Sequence, residues 1–300
     1  MVASTATFDR PHPDEHHDLT VVVPTVGRAV LARCLSALAT GAVKPTQVIV
    51  VDQSRGDGAR KPIEAVRRLG LNVLHVPSSQ RGPAAARNRG LERVETPYVA
   101  AIDDDCVPAA DWTERVLERL RSHPQAVITG RVESMGRRGI PSTIESAAGA
   151  VYSSPLPDRD PLFSGNMATE REIFDRVGPF SERAVLLPAA EDNEWGYRAL
   201  RTGVPIVYAP EVSVRHLDWR EPDELAATYR RYARGQGGFY GMYLRRGDWF
   251  IARRALRDLS RAPWLLVRGI VSRDPDIRMI GRAQCTELLP GIVAGIRSGP

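Results

Sequence analysis

Four times before residue 106, a short aliphatic run ends on, or just before, a polar side chain. LTVVVP at Leu19–Pro24 leads into Thr25, Gln47–Val51 into Asp52, and Tyr98–Ile102 into Asp103, Asp104 and Asp105, with Asn72–Val76 between the last two. Such runs do not alternate with polar residues, so they suit strands covered on both faces. Helical patterns separate them at Val30–Ala39 (stopped by Gly41), Pro62–Leu69 and Pro83–Val94. This order predicts a doubly wound, mostly parallel α/β sheet with right-handed crossovers. Ligands on such sheets bind at the carboxyl ends of the strands, where Thr25, Asp52 and the aspartate triplet fall.

Beyond residue 109 the pattern is mixed. A strand is expected at Val127–Val132, irregular chain at Ile140–Asp160, a short helix at Thr169–Val177 and a helix at Glu191–Arg201. A strand at Pro205–Tyr208 continues as strand or loop to His216, and an amphipathic helical region from Glu221 to about Leu259 is broken by GQGG. The 300 residues allow one large domain with a helical appendage. The expected organisation is a polar, disordered lead-in over 1–18, a catalytic domain over 19–220 (nucleotide half 19–108, acceptor half 109–220), and a basic, mainly helical extension over 221–300. His12, His16 and His17 of the lead-in are assigned no role. With no run of about 18 apolar residues and no basic-then-apolar leader, neither a spanning helix nor a secretory signal is expected. Three widely spaced cysteines, Cys34, Cys106 and Cys285, read as free thiols in a reducing cytoplasm.

The residues AIDDDC, 101–106, carry the strongest chemical signal. Three carboxylates after an apolar strand repel one another unless a cation lies between them. Mg²⁺ or Mn²⁺ takes oxygen ligands and shares its shell with phosphates, which suits a metal-bound nucleotide diphosphate. The structural alternative is an acidic turn, with Asp105 or Asp111 capping the helix near Trp112. AEDNEWGYRAL offers a second pair, Glu191 and Asp192, at a helix start. A carboxylate there can act as a general base or simply favour the helix dipole.

The ordered segments VVVPTVGR, VIVVDQS, RGPAAARNRG, AIDDDCVP, SGNMATEREIFDRVGPFSE, AEDNEWGYRALRTG and VRH resemble the GT-A, family-2 glycosyltransferases over Leu19 to His216. The resemblance implies a Rossmann-like GT-A sheet with a helical C-terminal extension, and an inverting, metal-dependent hexosyltransferase-like enzyme using a nucleotide-diphosphate sugar, UDP-sugars being the commonest donors. It places Pro24, Thr25 and Asp52 on the nucleoside. Arg81, Gly82, Arg87 and Asn88 fall in the nucleotide-contacting segment, Asp103 on the ribose side with Asp104 as helper, and Asp105 and His216 on Mn²⁺ or Mg²⁺. It makes Asp192 the base with Glu191 as partner, puts Ser164, Gly165 and Asn166 beneath the donor sugar, and turns Glu194 and Trp195 toward acceptor or core. Gln53 stands where the family usually has a second acidic residue, which leaves GDP- and dTDP-sugars open.

From Tyr229 to Arg282 there are 13 arginines against four acidic residues. Interleaved with Trp249, Phe250, Trp264, Leu265 and Leu266, they read as a helical cap or as a surface for anionic lipid, and they suit a carbohydrate, lipid-linked or small-molecule acceptor in cell-envelope or glycoconjugate synthesis. The expected location is cytoplasmic or peripheral at the inner face of the membrane. Two rivals remain. A sugar-phosphate nucleotidyltransferase would open on a Gly-rich phosphate loop, which PTVGRAV is not. A noncatalytic nucleic-acid binder would explain the basic tail but would have no use for DDD and ED, so no nucleic-acid partner is expected.

Overall fold

The computed structural model describes residues 18–135, 143–183, 185–217 and 222–298. Residues 1–17 of the lead-in expected over 1–18, with its three histidines, lie outside the described residues. The first half alternates as β1 (Leu19–Thr25), α1 (Leu31–Thr40), β2 (Gln47–Asp52), α2 (Arg60–Arg68), β3 (Val73–Pro77), α3 (Pro83–Leu91) and β4 (Tyr98–Ile102). β2 pairs in parallel with both β1 and β3, and β1 with β4. Every residue of β1 is buried. Each aliphatic side chain so covered contributes roughly 1.5–3 kcal/mol of transfer free energy, which fixes this strand at the centre of the sheet.

The second half adds β5 (Cys106–Pro108), α4 (Trp112–Ser122), β6 (Val127–Ser134), β7 (Ala150–Tyr152), β8 (Asn166–Glu170), α5 (Arg171–Val177), α6 (Glu191–Arg201) and β9 (Ile206–His216). Among the described residues nine strands form one sheet, ordered β3-β2-β1-β4-β8-β6-β9-β5, with β7 also pairing β9. β8 runs antiparallel to both β4 and β6. Asp111 does not cap α4 with its side chain, which instead pairs with Arg115 Nε at 3.1 Å.

Two expectations need correction. Thr169 and Glu170 belong to a strand rather than to a helix, because pairing with Tyr98 and Val99 of β4 holds them extended, and the helix begins at Arg171. The GQGG sequence does not interrupt its helix: α7 (Pro222–Leu244) runs straight through it. A Cβ at Gly237 would lie 2.2 Å from the Leu288 carbonyl oxygen, and one at Gly238 1.9 Å from that of Leu186. These glycines allow close helix packing that offsets their weak helix propensity. Two further helices, α8 (Trp249–Val271) and α9 (Pro275–Arg297), pack with α7 around Phe239, Tyr240, Tyr243, Ile251 and Leu288.

Candidate active site

Strand register builds the site. Thr25 lies opposite Asp52, and Asp52 opposite Pro77, so the parallel strands end level with one another. The chain leaving β4 then turns into β5, where Cys106 pairs with His216 of β9. That pairing, with Leu217 N donating to the Asp105 carbonyl at 2.8 Å, brings His216 beside Asp105. A cavity of about 920 Å³ opens over these strand ends, and its lining includes Pro24, Thr25, Arg81, Gly82, Arg87, the aspartate triplet, Ser164, Glu191, Asp192 and His216. This volume accommodates a ligand of nucleotide-sugar size.

The three aspartates occupy different environments. Asp104 is fully buried, accepts a 2.6 Å hydrogen bond from Thr25 Oγ1 and pairs with Arg28 at 2.5 Å. Burial raises its pKa, with Arg28 and Thr25 pulling the other way. Asp103 is less enclosed and receives Arg87 Nη2 at 2.7 Å. Asp105 faces Arg28 Nη1 at 3.3 Å and His216 Nε2 at 3.6 Å.

Arg87 spans the cleft. Rising from α3, it donates to Asp103 at 2.7 Å and to Glu191 at 2.9 Å on the opposite wall. Burial alone would lower its pKa, but the charges of Asp103, Glu191 and Asp192 outweigh this and raise it. Next to Glu191, Asp192 accepts from its neighbour's amide, Asn193 N, at 2.9 Å and from Ser164 Oγ at 3.3 Å. Burial, then the charge of Glu191, push its pKa up to about 7, against the pull of Arg87. A carboxylate titrating near neutrality inside a cleft suits proton transfer.

The loop before α3 is preorganised. Gly82 has φ +108°, a left-handed geometry that favours glycine, and it opens α3 with Pro83 at the helix start. Gln53 Nε2 donates to the carbonyls of Gln80 and Gly82 at 2.7 and 2.9 Å. A carboxylate at 53 has no proton to donate to those carbonyls, which gives the departure from the family's acidic residue a physical reason.

Several residues expected at the ligand lie off the cavity lining and have internal partners. The cavity lining does not include Asp52, Asn88, Gly165, Asn166, Glu194 or Trp195. Asp52 accepts from Ser54 N and lies 3.0 Å from His75 Nε2. Asn88 bonds the Phe180 backbone in both directions. Asn166 accepts from Trp112 Nε1 and donates to the carbonyls of Arg131 and Val212. Glu194 is held by Arg198 and Tyr243, and Trp195 is buried between Phe174 and Phe180. Gly165 acts one step back: a Cβ there would come within 2.6 Å of Asp103 Oδ2.

The sequence reading missed Arg28, Asp160, Gln236 and Arg254. Arg254 makes a bidentate pair with Asp160, Gln236 Nε2 donates to Asp160 at 3.1 Å, and Gln236 Oε1 accepts from Asn193 at 2.8 Å. The C-terminal helices thereby reach the residue beside Asp192. Arg28 lies within VVVPTVGR, where its charge is the available signal; the other contacts join residues up to 94 positions apart.

Among the described residues no group of three or more His, Cys, Asp or Glu side chains is placed to hold a metal ion. Asp105 and His216 nevertheless form a buried oxygen–nitrogen pair whose 3.6 Å separation is too long for a hydrogen bond and suits two neighbouring ligands on one ion. Two protein ligands fit a cation that completes its shell with diphosphate and water.

The family model described as glycosyl transferase family 2 matches residues 20–180. A pre-mycofactocin glycosyltransferase of Mycobacterium tuberculosis is 30% identical over 227 residues, 70% of this chain but 46% of that protein, so the chain spans about half that relative's length. The glycosyltransferase AglE of Haloferax volcanii is 25% identical over 88% of this chain and 86% of its own. Of solved structures, S. aureus TarS 1-349 in complex with UDP-GlcNAc superposes with a TM-score of 0.58 at 15% identity, covering 89% of this chain and 90% of that one. At that identity the likeness shows a shared fold.

Proposed function

The chain belongs to glycosyl transferase family 2, and from that premise we propose that it transfers a sugar from a nucleotide-diphosphate donor, a UDP-sugar by preference, to an acceptor hydroxyl with inversion. One observation carries this reading: Asp192, its pKa raised to about 7, lies across the cleft from the aspartate triplet and is tied to it through Glu191 and Arg87. Donor and acceptor would meet between these walls.

In this reading Asp192 removes the acceptor proton as the acceptor oxygen attacks the anomeric carbon and the bond to the diphosphate breaks. Ser164 fixes one carboxylate oxygen and leaves the group a defined approach. Glu191 pairs with Arg87 and keeps the guanidinium aimed at Asp103, on the ribose side. Arg81, lining the cleft just before α3, would face the phosphates, while Pro24 and Thr25 would form the nucleoside floor with Asp52 behind them. Asp105 and His216 would hold Mn²⁺ or Mg²⁺, which supplies positive charge to the departing diphosphate when bound. Asp104 positions Arg28 and Thr25 rather than touching the donor. The acceptor is a carbohydrate, a lipid-linked saccharide or a small molecule, and the basic helices offer it an approach from a membrane surface.

The test is transfer from UDP-[¹³C]sugars to a panel of saccharide and lipid-linked acceptors, with the product anomer read by NMR. Inversion at C1 supports the reading. Retention of configuration, or pyrophosphate exchange into a nucleotide sugar, contradicts it; the latter outcome would favour a nucleotidyltransferase.

A further inference from the structure

We propose that the outer face of α8 docks this protein on an anionic lipid surface, lying in the plane of the interface. The inner face of α8 is spent on the fold, with Ile251, Arg254, Ala255, Ala262, Leu265 and Gly269 buried. The opposite face is apolar where a water-facing helix would be polar. Trp249 is 80% exposed, Leu256 70%, Trp264 54% and Val271 78%, with Val267 and Ile270 between them also exposed. At 100° per residue, 249, 256, 264, 267 and 271 fall within one stripe along the helix. At 1.5 Å per residue, that helix is roughly 34 Å long.

The charge pattern selects the occupant. Arg253, Arg261 and Arg268 are exposed along the same helix, and Arg268 lies over the Trp264 ring at 5.2 Å. Asp258, the acidic residue of α8, turns inward to accept from Tyr240 at 2.6 Å. A surface of this kind places tryptophans at the headgroup level and arginines against phosphates. A second copy docked face to face through the same helix would bring the same arginines to this face, with Asp258 turned inward on both. Among the described residues no helix is long and apolar enough to cross a membrane, so binding is superficial. The inference extends the membrane approach suggested above, but its test uses neither donor nor transfer, and the two readings can fail separately.

The experiment is co-flotation of the full chain with vesicles of phosphatidylcholine alone, or of phosphatidylcholine with about 30% phosphatidylglycerol. Binding to the anionic vesicles is expected, weakening with added salt and falling at least about ten-fold in Trp249→Ser/Trp264→Ser. Because both tryptophans are exposed, the double variant should keep the wild-type melting temperature and circular dichroism. A second variant, Arg268→Glu, should lose anionic selectivity with the tryptophans in place. The proposal is overturned if wild type ignores anionic vesicles, or if the double variant binds them as wild type does. A wild-type dimer in sedimentation equilibrium that the tryptophan substitutions dissociate would also overturn it, assigning the face to self-association.

Discussion

Glu191 and Asp192 are adjacent carboxylates at the first turn of α6, and Arg87 engages Glu191 directly while Asp192 bonds an amide and a serine. The proton that such a pair holds most readily therefore settles on Asp192. Its folded pKa of about 7 stands above the ordinary 3.8, so the folded state binds this proton more tightly than the unfolded chain. Stability contributed by that proton is present at low pH and lost as pH rises from about 4 through 7. Replacing Asp192 by Asn should therefore raise the melting temperature more at pH 8 than at pH 5. The same replacement should lower kcat by roughly 10²–10⁴-fold with nucleotide binding kept, the size expected for loss of a general base. An active Asp192→Asn would remove its role. In wild type, kcat/KM should decline as pH falls below about 7, because the protonated carboxyl cannot accept the acceptor's proton. Arg87 bridges two carboxylates on separate walls, and Arg87→Met should destabilise the fold by about 3–5 kcal/mol, as for a broken buried pair, with Arg87→Lys a poor rescue because an ammonium cannot span both. Chemical denaturation of the two variants checks this. Asp103, Asp105, Glu191 and Asp192 line the cleft as strand ends and a helix start lead one to expect, and Arg87 and His216, which the family resemblance singles out, line it too. Asn88, Asn166 and Glu194 lie off the cavity lining, and Trp195 takes the core side of the two positions open to it, because motif membership does not say which side of a helix or strand faces the cleft.

At the scale of elements, the β1–β4 half was legible because unbroken aliphatic runs have few other destinations. The antiparallel insertion of β8 between β4 and β6 was not, since NMATE carries no strand alternation and owes its extended form to its neighbours. Glycine was misread for a related reason. In isolation GQGG weakens a helix, while in α7 Gly237 and Gly241 meet the α9 backbone, with Cβ positions 2.2 Å from the carbonyls of Leu288 and Ile292. Gly237→Ala should then force the helices apart and cost roughly 1–3 kcal/mol. Gly56→Ala, where nothing lies within 4 Å, should stay within about 0.5 kcal/mol. Equal thermal shifts for the two would contradict the packing argument.

For the whole molecule, the helices after residue 221 read from sequence as an appendage, yet they form part of the cavity wall. Tyr229, Gln236 and Arg254 line it beside the residues of the sheet, and Arg254 anchors Asp160 across the cleft. Sequence could not pair these positions, because nothing local links an arginine on α8 to an aspartate in an irregular segment far upstream. The proposed donor site and acceptor wall thus come from distant parts of one chain, and the proposed function requires a nucleotide to bind between them. Its most direct test is a thermal-shift screen of UDP, GDP, dTDP and CDP with Mn²⁺, Mg²⁺ or EDTA. Saturation near one hundred times Kd adds about 2.7 kcal/mol, a shift of several degrees. The expected result is stabilisation by UDP with metal, lost in EDTA and in Asp105→Asn; folded protein that no nucleotide stabilises, with or without metal, would contradict the site.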